Sequence, residues 1–306
     1  MDVVAGLKSL RNVRSQSGLR FDSPLRYPGG KSTLAPLIAR TIEANGLFGC
    51  SYHEPFAGGA GAALRLLREG VVSELYLNDL DPHIISFWYA VLNEADRFAK
   101  EIMSIPLSID EWRKQLEIYR LADASEPFKL GFATFYLNRC NRSGIIFGAA
   151  PIGGYQQAGE WKIGARFYRE NLSERILAIG ARREQIHVTN LDALSYLKEV
   201  LTSSQDLGNV FAYLDPPYFS NGNRLYMSSY DNRDHVDLAR YIQCQTNFKW
   251  IMSYDDTKFI RDLYAASEIA AIPLEYSLQG RRQVRELLIS PSHVLLASPP
   301  TMLFAD

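Results

Sequence analysis

Apolar and polar positions along this chain follow two periods. Residues 32–45 read as a helix stopped at Gly46. "SYHEPF" (51–56) reads as a short strand, followed by the small-residue loop "AGGAGA" and a helix, "ALRLLRE", that ends at Gly70. "SELYLND" (73–79) is a second strand. Asp81-Pro82 then supplies an N-cap and a first-turn proline for one long helix, "HIISFWYAVLNEADRFAKEIM". Ser108 and Glu111 make a capping-box pattern for the next helix, and 126–140 is helical with Phe128, Phe132 and Phe135 on one side. From 141 to 170 the pattern loses its period and becomes rich in glycine and aromatics, which predicts an irregular insertion. Strand–helix alternation resumes with "QIHVT" and "DALSYLKEVL", "NVFAYL" before "DPPY", and "FKWIMSY" before "DDTKFIRDLYAAS". "IAAIPLEYS" and "RELLIS" read as two closing strands.

Repeated β–α units predict an α/β fold with a mainly parallel sheet and helices on both faces. The helical and irregular stretch 95–185 is expected to be a second lobe interrupting that sheet. The expected organisation is a loose basic leader over 1–20, a sheet domain built from 21–94 and 186–306, and the inserted lobe between them.

Composition narrows this picture modestly. Hydrophobic content of 47% with 22% charged residues is ordinary for a globular protein. No stretch approaches the ~20 apolar residues of a membrane span, and the first residues lack the apolar core of a signal peptide. Cys50, Cys140 and Cys244 form no CxxC pair, which argues against zinc and a disulfide framework and for a reducing, cytoplasmic setting. Net charge is −1, but residues 139–185 hold eight Arg or Lys against four acids. That local excess of +4 suggests a phosphate-facing surface; a solvated face explains it equally well.

The stretch "YLDPPYFS" (213–220) carries the strongest chemistry. A buried apolar run stops at Asp215, because Pro216 and Pro217 have no N–H for a sheet ladder. The result is either a plain turn or a site at the carboxyl end of a strand, where open α/β sheets bind ligands. "LRYPGGKST" (25–33) imitates a phosphate loop, but Leu25 stands where G-x-x-x-x-G-K-[ST] needs glycine. In "YLNDLDP", Asp79 ends a strand about 20 residues past the glycine loop, the usual place for an acid that holds ribose hydroxyls.

In order, "RYPGGK", "EPFAGGAG", "LNDLD", "FYLNR" and "LDPPY" resemble the Dam-like (D12 class) S-adenosylmethionine-dependent DNA adenine N6-methyltransferases, across roughly 21–290. The resemblance implies a Rossmann-like methyltransferase sheet in which 95–185 is the target-recognition lobe. It implies cofactor contacts from Tyr27, Lys31, Glu54, Phe56, Gly58, Asp79, Asp192 and Asp215, with Asp192 serving equally well as a helix cap. Asp215, Pro216, Pro217 and Tyr218 would form the reacting site, and Arg139, Asn141 and Arg142 would meet DNA, with a solvated helix end explaining those three equally well. Ala60 stands where the family often has glycine, with little consequence expected. The segment after "FYLNR" departs from the Dam pattern, so no recognition sequence is carried over. The implied methyl donor is S-adenosylmethionine, with no metal. The implied partner is double-stranded DNA, and a separately encoded restriction or defence partner is compatible with it.

The motif makes chemical sense. The exocyclic amine of adenine is a poor nucleophile because its lone pair is delocalised into the ring. A carboxylate (Asp215) and a fixed carbonyl (Pro216) that accept its two hydrogens draw the nitrogen toward sp³ geometry. Pro217 restricts Pro216 and so aims that carbonyl. Tyr218 can stack on a base taken out of the helix. Two rivals are a methyltransferase for RNA or a protein amide, and a non-catalytic cofactor-dependent DNA-binding module.

Overall fold

The computed structural model describes residues 22–26, 31–220, 230–276 and 282–297. Seven strands form one sheet in the order β3-β2-β1-β4-β5-β7-β6. They are β1 (Cys50–Glu54), β2 (Val72–Asn78), β3 (Ile186–Thr189), β4 (Val210–Leu214), β5 (Lys249–Asp255), β6 (Glu268–Tyr276) and β7 (Arg282–Ser290). β1 to β5 pair in parallel, while β7 runs antiparallel to both β5 and β6. The α/β expectation therefore holds, with an antiparallel closing pair. Strand order reverses between β1 and β4, so the crevice at their carboxyl ends is where a sheet of this type binds ligand.

Helices cover both faces. One apolar core joins α1 (Ala35–Ala44), α2 (Gly61–Arg68) and α3 (Pro82–Asn93) to the sheet, and a second joins α8 (Ala193–Glu199), α9 (Asn232–Gln243) and α10 (Lys258–Leu263) to its other face. α4 (Ala95–Ser104), α5 (Ile109–Leu121), α6 (Pro127–Cys140) and α7 (Arg169–Gly180) occupy the inserted stretch. Their aromatic residues, among them Phe98, Phe128, Phe132 and Phe135, are continuous with the first core. α6 is buried on nearly every side, as a helix apolar all round should be.

Three local readings change. The long helix expected over 83–103 is two, α3 and α4, broken at Glu94 (φ −133°, ψ 37°). The break lets α4 meet α7 closely: a Cβ added at Gly180 would lie 2.4 Å from that of Ala95. α9 was not legible as an element, although Asp231 and Asp234 form a full capping box at its start. Finally, Ala60 adopts φ 47°, ψ 34°. A left-handed alanine costs ~1–2 kcal/mol, so the missing glycine does have a consequence. By contrast, Asp81 caps α3 by accepting from the His83 N–H at 2.9 Å, as expected.

Candidate active site

Asp215 leaves the end of β4 beside the strand-order reversal, half-buried. Its Oδ1 accepts from Ser253 Oγ on β5 at 2.6 Å, and Ser253 in turn shares a 2.8 Å hydrogen bond with the Tyr213 hydroxyl. The Lys31 ammonium lies 3.5 Å from the same Oδ1. Pro216 and Pro217 are buried. Beyond them, the Phe219 and Ser220 N–H groups both donate to Asp255 at 2.9 Å, and the Phe219 ring stacks on Phe259. The elbow is thus held at both ends by β5.

Lys31 opens the 3₁₀ turn Lys31–Leu34 ahead of α1 and is buried. Its Nζ donates to both oxygens of Glu286 at 2.9 Å and to the Tyr218 hydroxyl at 2.5 Å. Tyr218 in turn donates to Glu286 Oε1. Burial alone would lower the Lys31 pKa, but Asp215 and Glu286 outweigh it and hold the ammonium above its ordinary value. Burial, reinforced by the charge of Asp215, pushes Glu286 up despite Lys31.

The neighbouring strand ends carry two more acids. Glu54 closes β1, buried, with the Tyr52 hydroxyl donating to it at 3.1 Å. Burial and the nearby Asp215 raise its carboxyl to about 8. Asp79 follows β2 and accepts from the Gly58 N–H at 2.9 Å and the Asp81 N–H at 3.0 Å. Burial raises it to about 6 against those hydrogen bonds. The loop between β1 and α2 is pinned from three sides, because Trp88 Nε1 donates to Gly58 O at 3.0 Å and Ser23 Oγ to Gly59 O at 2.5 Å. Asn78 ties the ends of β1, β2 and β3 together: it donates to Pro55 O and Leu191 O and accepts from Thr189 Oγ1. Phe56 meets the Tyr230 ring edge-on at 5.7 Å.

The other expected residues divide. Tyr27 lies outside the described residues. Asp192 is exposed and caps α8, its Oδ1 accepting from the Leu194 and Ser195 N–H groups at 3.0 and 3.1 Å. Arg139 and Asn141 do not face DNA, because both are buried and engaged. Arg139 donates to Pro24 O at 2.6 Å, and burial beside Arg175 and Arg26 lowers its pKa to about 9. Asn141 accepts from Trp112 Nε1 at 2.7 Å and donates to Ile145 O and Ile146 O. The neighbouring Asn138 brackets Arg26, accepting from its N–H at 2.7 Å and donating to its carbonyl at 2.8 Å. The "LNR" motif therefore anchors the segment leading to Lys31. Arg169, Arg175 and Arg182 likewise donate to main-chain carbonyls, so much of the local positive excess is internal stapling. Arg142 is exposed.

Acids at the ends of β1, β2 and β4 surround the reversal point of a doubly wound sheet, the place where sheets of this class bind ligands. The D12 class N6 adenine-specific DNA methyltransferase model matches residues 27–277, and the chain belongs to that family. It is 23% identical over 285 residues to the DNA adenine methylase of Haemophilus influenzae, covering 86% of this chain and 91% of that protein. Two solved structures of the rRNA methyltransferase aviRa from Streptomyces viridochromogenes are similar at TM-scores of 0.37 and 0.35, with 16% and 15% identity, 93% of this chain and 94% of each of those chains being covered. Among the described residues, no helix is long and apolar enough to cross a membrane.

Sequence reasoning missed Ser253, Asp255 and Glu286. Ser253 interrupts the apolar run of β5, Asp255 ends that strand and Glu286 precedes the apolar run of β7, and those positions are the signal available.

Proposed function

We propose that this protein methylates the N6 amine of an adenine flipped out of duplex DNA, at a recognition sequence of its own. The observation that carries the reading is the placement of Asp215 on a fixed proline elbow, held by Ser253 and Lys31 at the strand-order reversal. The family implies S-adenosylmethionine, whose sulfonium supplies the methyl group when it is bound. The residues present fit it: Asp79 would hold the ribose hydroxyls, the small-residue loop around Gly58 would line the methionine part, and Phe56 would offer a ring face. Asp192 keeps carboxylate capacity beyond its capping bonds for the cofactor's adenine side. Tyr27 would add an aromatic contact.

Asp215 and the Pro216 carbonyl accept the two amine hydrogens, localising the nitrogen lone pair. Catalysis is then orientation and preorganised electrostatics, with no metal and no covalent nucleophile needed. Tyr218 stacks on the extruded base, while its hydroxyl is tied to Lys31 and Glu286. Residues 95–185 form the target-recognition lobe, with exposed Arg142, Phe147 and Trp161 toward DNA. The enzyme works in the cytoplasm, alone or beside a separately encoded restriction or defence partner.

Transfer of labelled methyl to duplex DNA, compared with structured RNA, tests the reading, and modification-aware sequencing of DNA from expressing cells then gives the site. Label on RNA alone would overturn it. In the same assay Arg142→Ala should lower the salt dependence of DNA binding by about one unit of slope. Arg139→Ala should instead lower thermal stability, since it empties a buried anchor.

Cofactor affinity should follow Asp79. Its carboxyl, raised to about 6, accepts hydroxyl hydrogens best when ionised, so affinity should fall as pH drops through about 6. Titration calorimetry across that range checks this, with Asp79→Asn expected to bind weakly and without the step. Wild-type affinity that stays level on acidification would remove Asp79 from the ribose site.

A further inference from the structure

We propose that Glu286, on β7, is a positioning residue for methyl transfer: its carboxylate seats the Lys31 ammonium against Asp215 and holds the Tyr218 hydroxyl, fixing both sides of the amine site. The proposal rests on the methyl-transfer reading above. It uses a residue to which the sequence assigned no role.

The geometry joins three distant parts of the chain. Lys31 precedes α1, Tyr218 follows the β4 elbow, and Glu286 lies on the antiparallel strand beside β5. Nζ of Lys31 reaches both Glu286 oxygens at 2.9 Å, the Tyr218 hydroxyl at 2.5 Å and Asp215 Oδ1 at 3.5 Å. Tyr218 closes the triangle by donating to Glu286 Oε1. Glu286 itself has no exposure. A fully buried carboxylate is expensive, and an apolar residue would serve packing alone as well or better. What the carboxylate adds is direction. It draws the ammonium and the phenol to one point, and the ammonium there lies 3.5 Å from Asp215 Oδ1.

The charged and titratable groups around it are Lys31, Asp215, Tyr218 and Tyr213. Glu54 on β1, which accepts from Tyr52, and Tyr254 on β5 lie around Asp215. Asp255, the β5 register partner of Glu286, is taken up by the Phe219 and Ser220 N–H groups. Two carboxylates thus share one ammonium, and burial pushes Glu286 upward. Its loss of charge on acidification releases Lys31 and Tyr218 together.

Single-turnover methylation against pH, on wild type, Glu286→Gln and Glu286→Asp, tests this beside thermal melting and DNA affinity. Wild type should lose rate in acid along a limb lying above the ordinary carboxylate range. Glu286→Gln should bind DNA normally, run slower by on the order of 10²-fold, as a misplaced reacting group does, and lack that limb. Glu286→Asp keeps the charge and should recover part of the rate together with the limb. A separate readout is the Lys31 side-chain titration by NMR, which should move to lower pH in Glu286→Gln. If wild type methylates no DNA, the functional reading fails, and the Lys31 titration still shows whether Glu286 governs the ammonium. A folded Glu286→Gln with wild-type rate and limb, or an unmoved Lys31 titration, overturns the proposal.

Discussion

Asp215→Asn is expected to fold like wild type and to lose ~10²–10³ of its single-turnover methylation rate, the usual effect of removing one preorganised electrostatic group. The substitution keeps an oxygen for the Ser253 hydroxyl, which donates at 2.6 Å, so the elbow has no reason to move. What disappears is the charge, and with it a charge-assisted bond roughly twice as strong as a neutral one. That bond is needed most when positive charge develops on the amine. Asp215→Ala should abolish transfer. Single-turnover methylation measured with thermal melting separates chemistry from folding. A fully folded Asp215→Asn at the wild-type rate would return the elbow to a structural role.

Lys31→Ala should have the largest effect on stability, ~3–5 kcal/mol, because it leaves a buried partner charge uncompensated. Glu286 is completely buried and is held at 2.9 Å by this ammonium, with Asp215 alongside. The sign with pH follows. Without Lys31, burial and Asp215 act on Glu286 against the Tyr218 hydrogen bond alone, so its folded-state pKa lies further above that of the unfolded chain. Stability is then best below the ordinary carboxylate pKa of ~4.3 and falls as pH rises. Melting of Lys31→Ala should therefore approach wild type in acid and fall behind toward neutrality. A Lys31→Met, Glu286→Gln double variant should recover part of the loss, since partners in one network are non-additive. A deficit independent of pH would mean that Lys31 matters for packing alone.

Tyr218 offers more than the face of its ring. If only the ring face mattered, phenylalanine would serve there. The hydroxyl, however, bonds both Lys31 and Glu286, so Tyr218→Phe removes a partner from a buried network.

Much of this protein was legible in the order of its residues. Alternating strand and helix patterns specify a parallel sheet. Two prolines after an apolar run end a strand at Asp215, and small residues between β1 and α2 mark a close-approach loop. These are local constraints, set by a missing N–H, a left-handed φ or a period of two, and a linear chain displays them directly. The motif series named the chemistry because its members lie in short, recognisable pieces.

Other features depended on which distant segments meet. Arg139 and Arg142 look alike as neighbours in a basic stretch, yet α6 turns the first into the core beneath Pro24 and leaves the second in solvent. The local +4 read as a surface charge because counting residues cannot show that several arginines spend their guanidinium groups on main-chain carbonyls. Lys31 and Glu286 stand 255 positions apart, and only the antiparallel entry of β7 beside β5 brings them to 2.9 Å. Burial, and the pKa shifts it produces in Glu54, Asp79 and Glu286, is a property of packing around a group rather than of the group. The sequence by itself therefore determined the fold class and the family motifs that nominate the reacting residues. The tertiary structure alone decided which charges face each other, because their energies depend on distance through space and on exclusion of water.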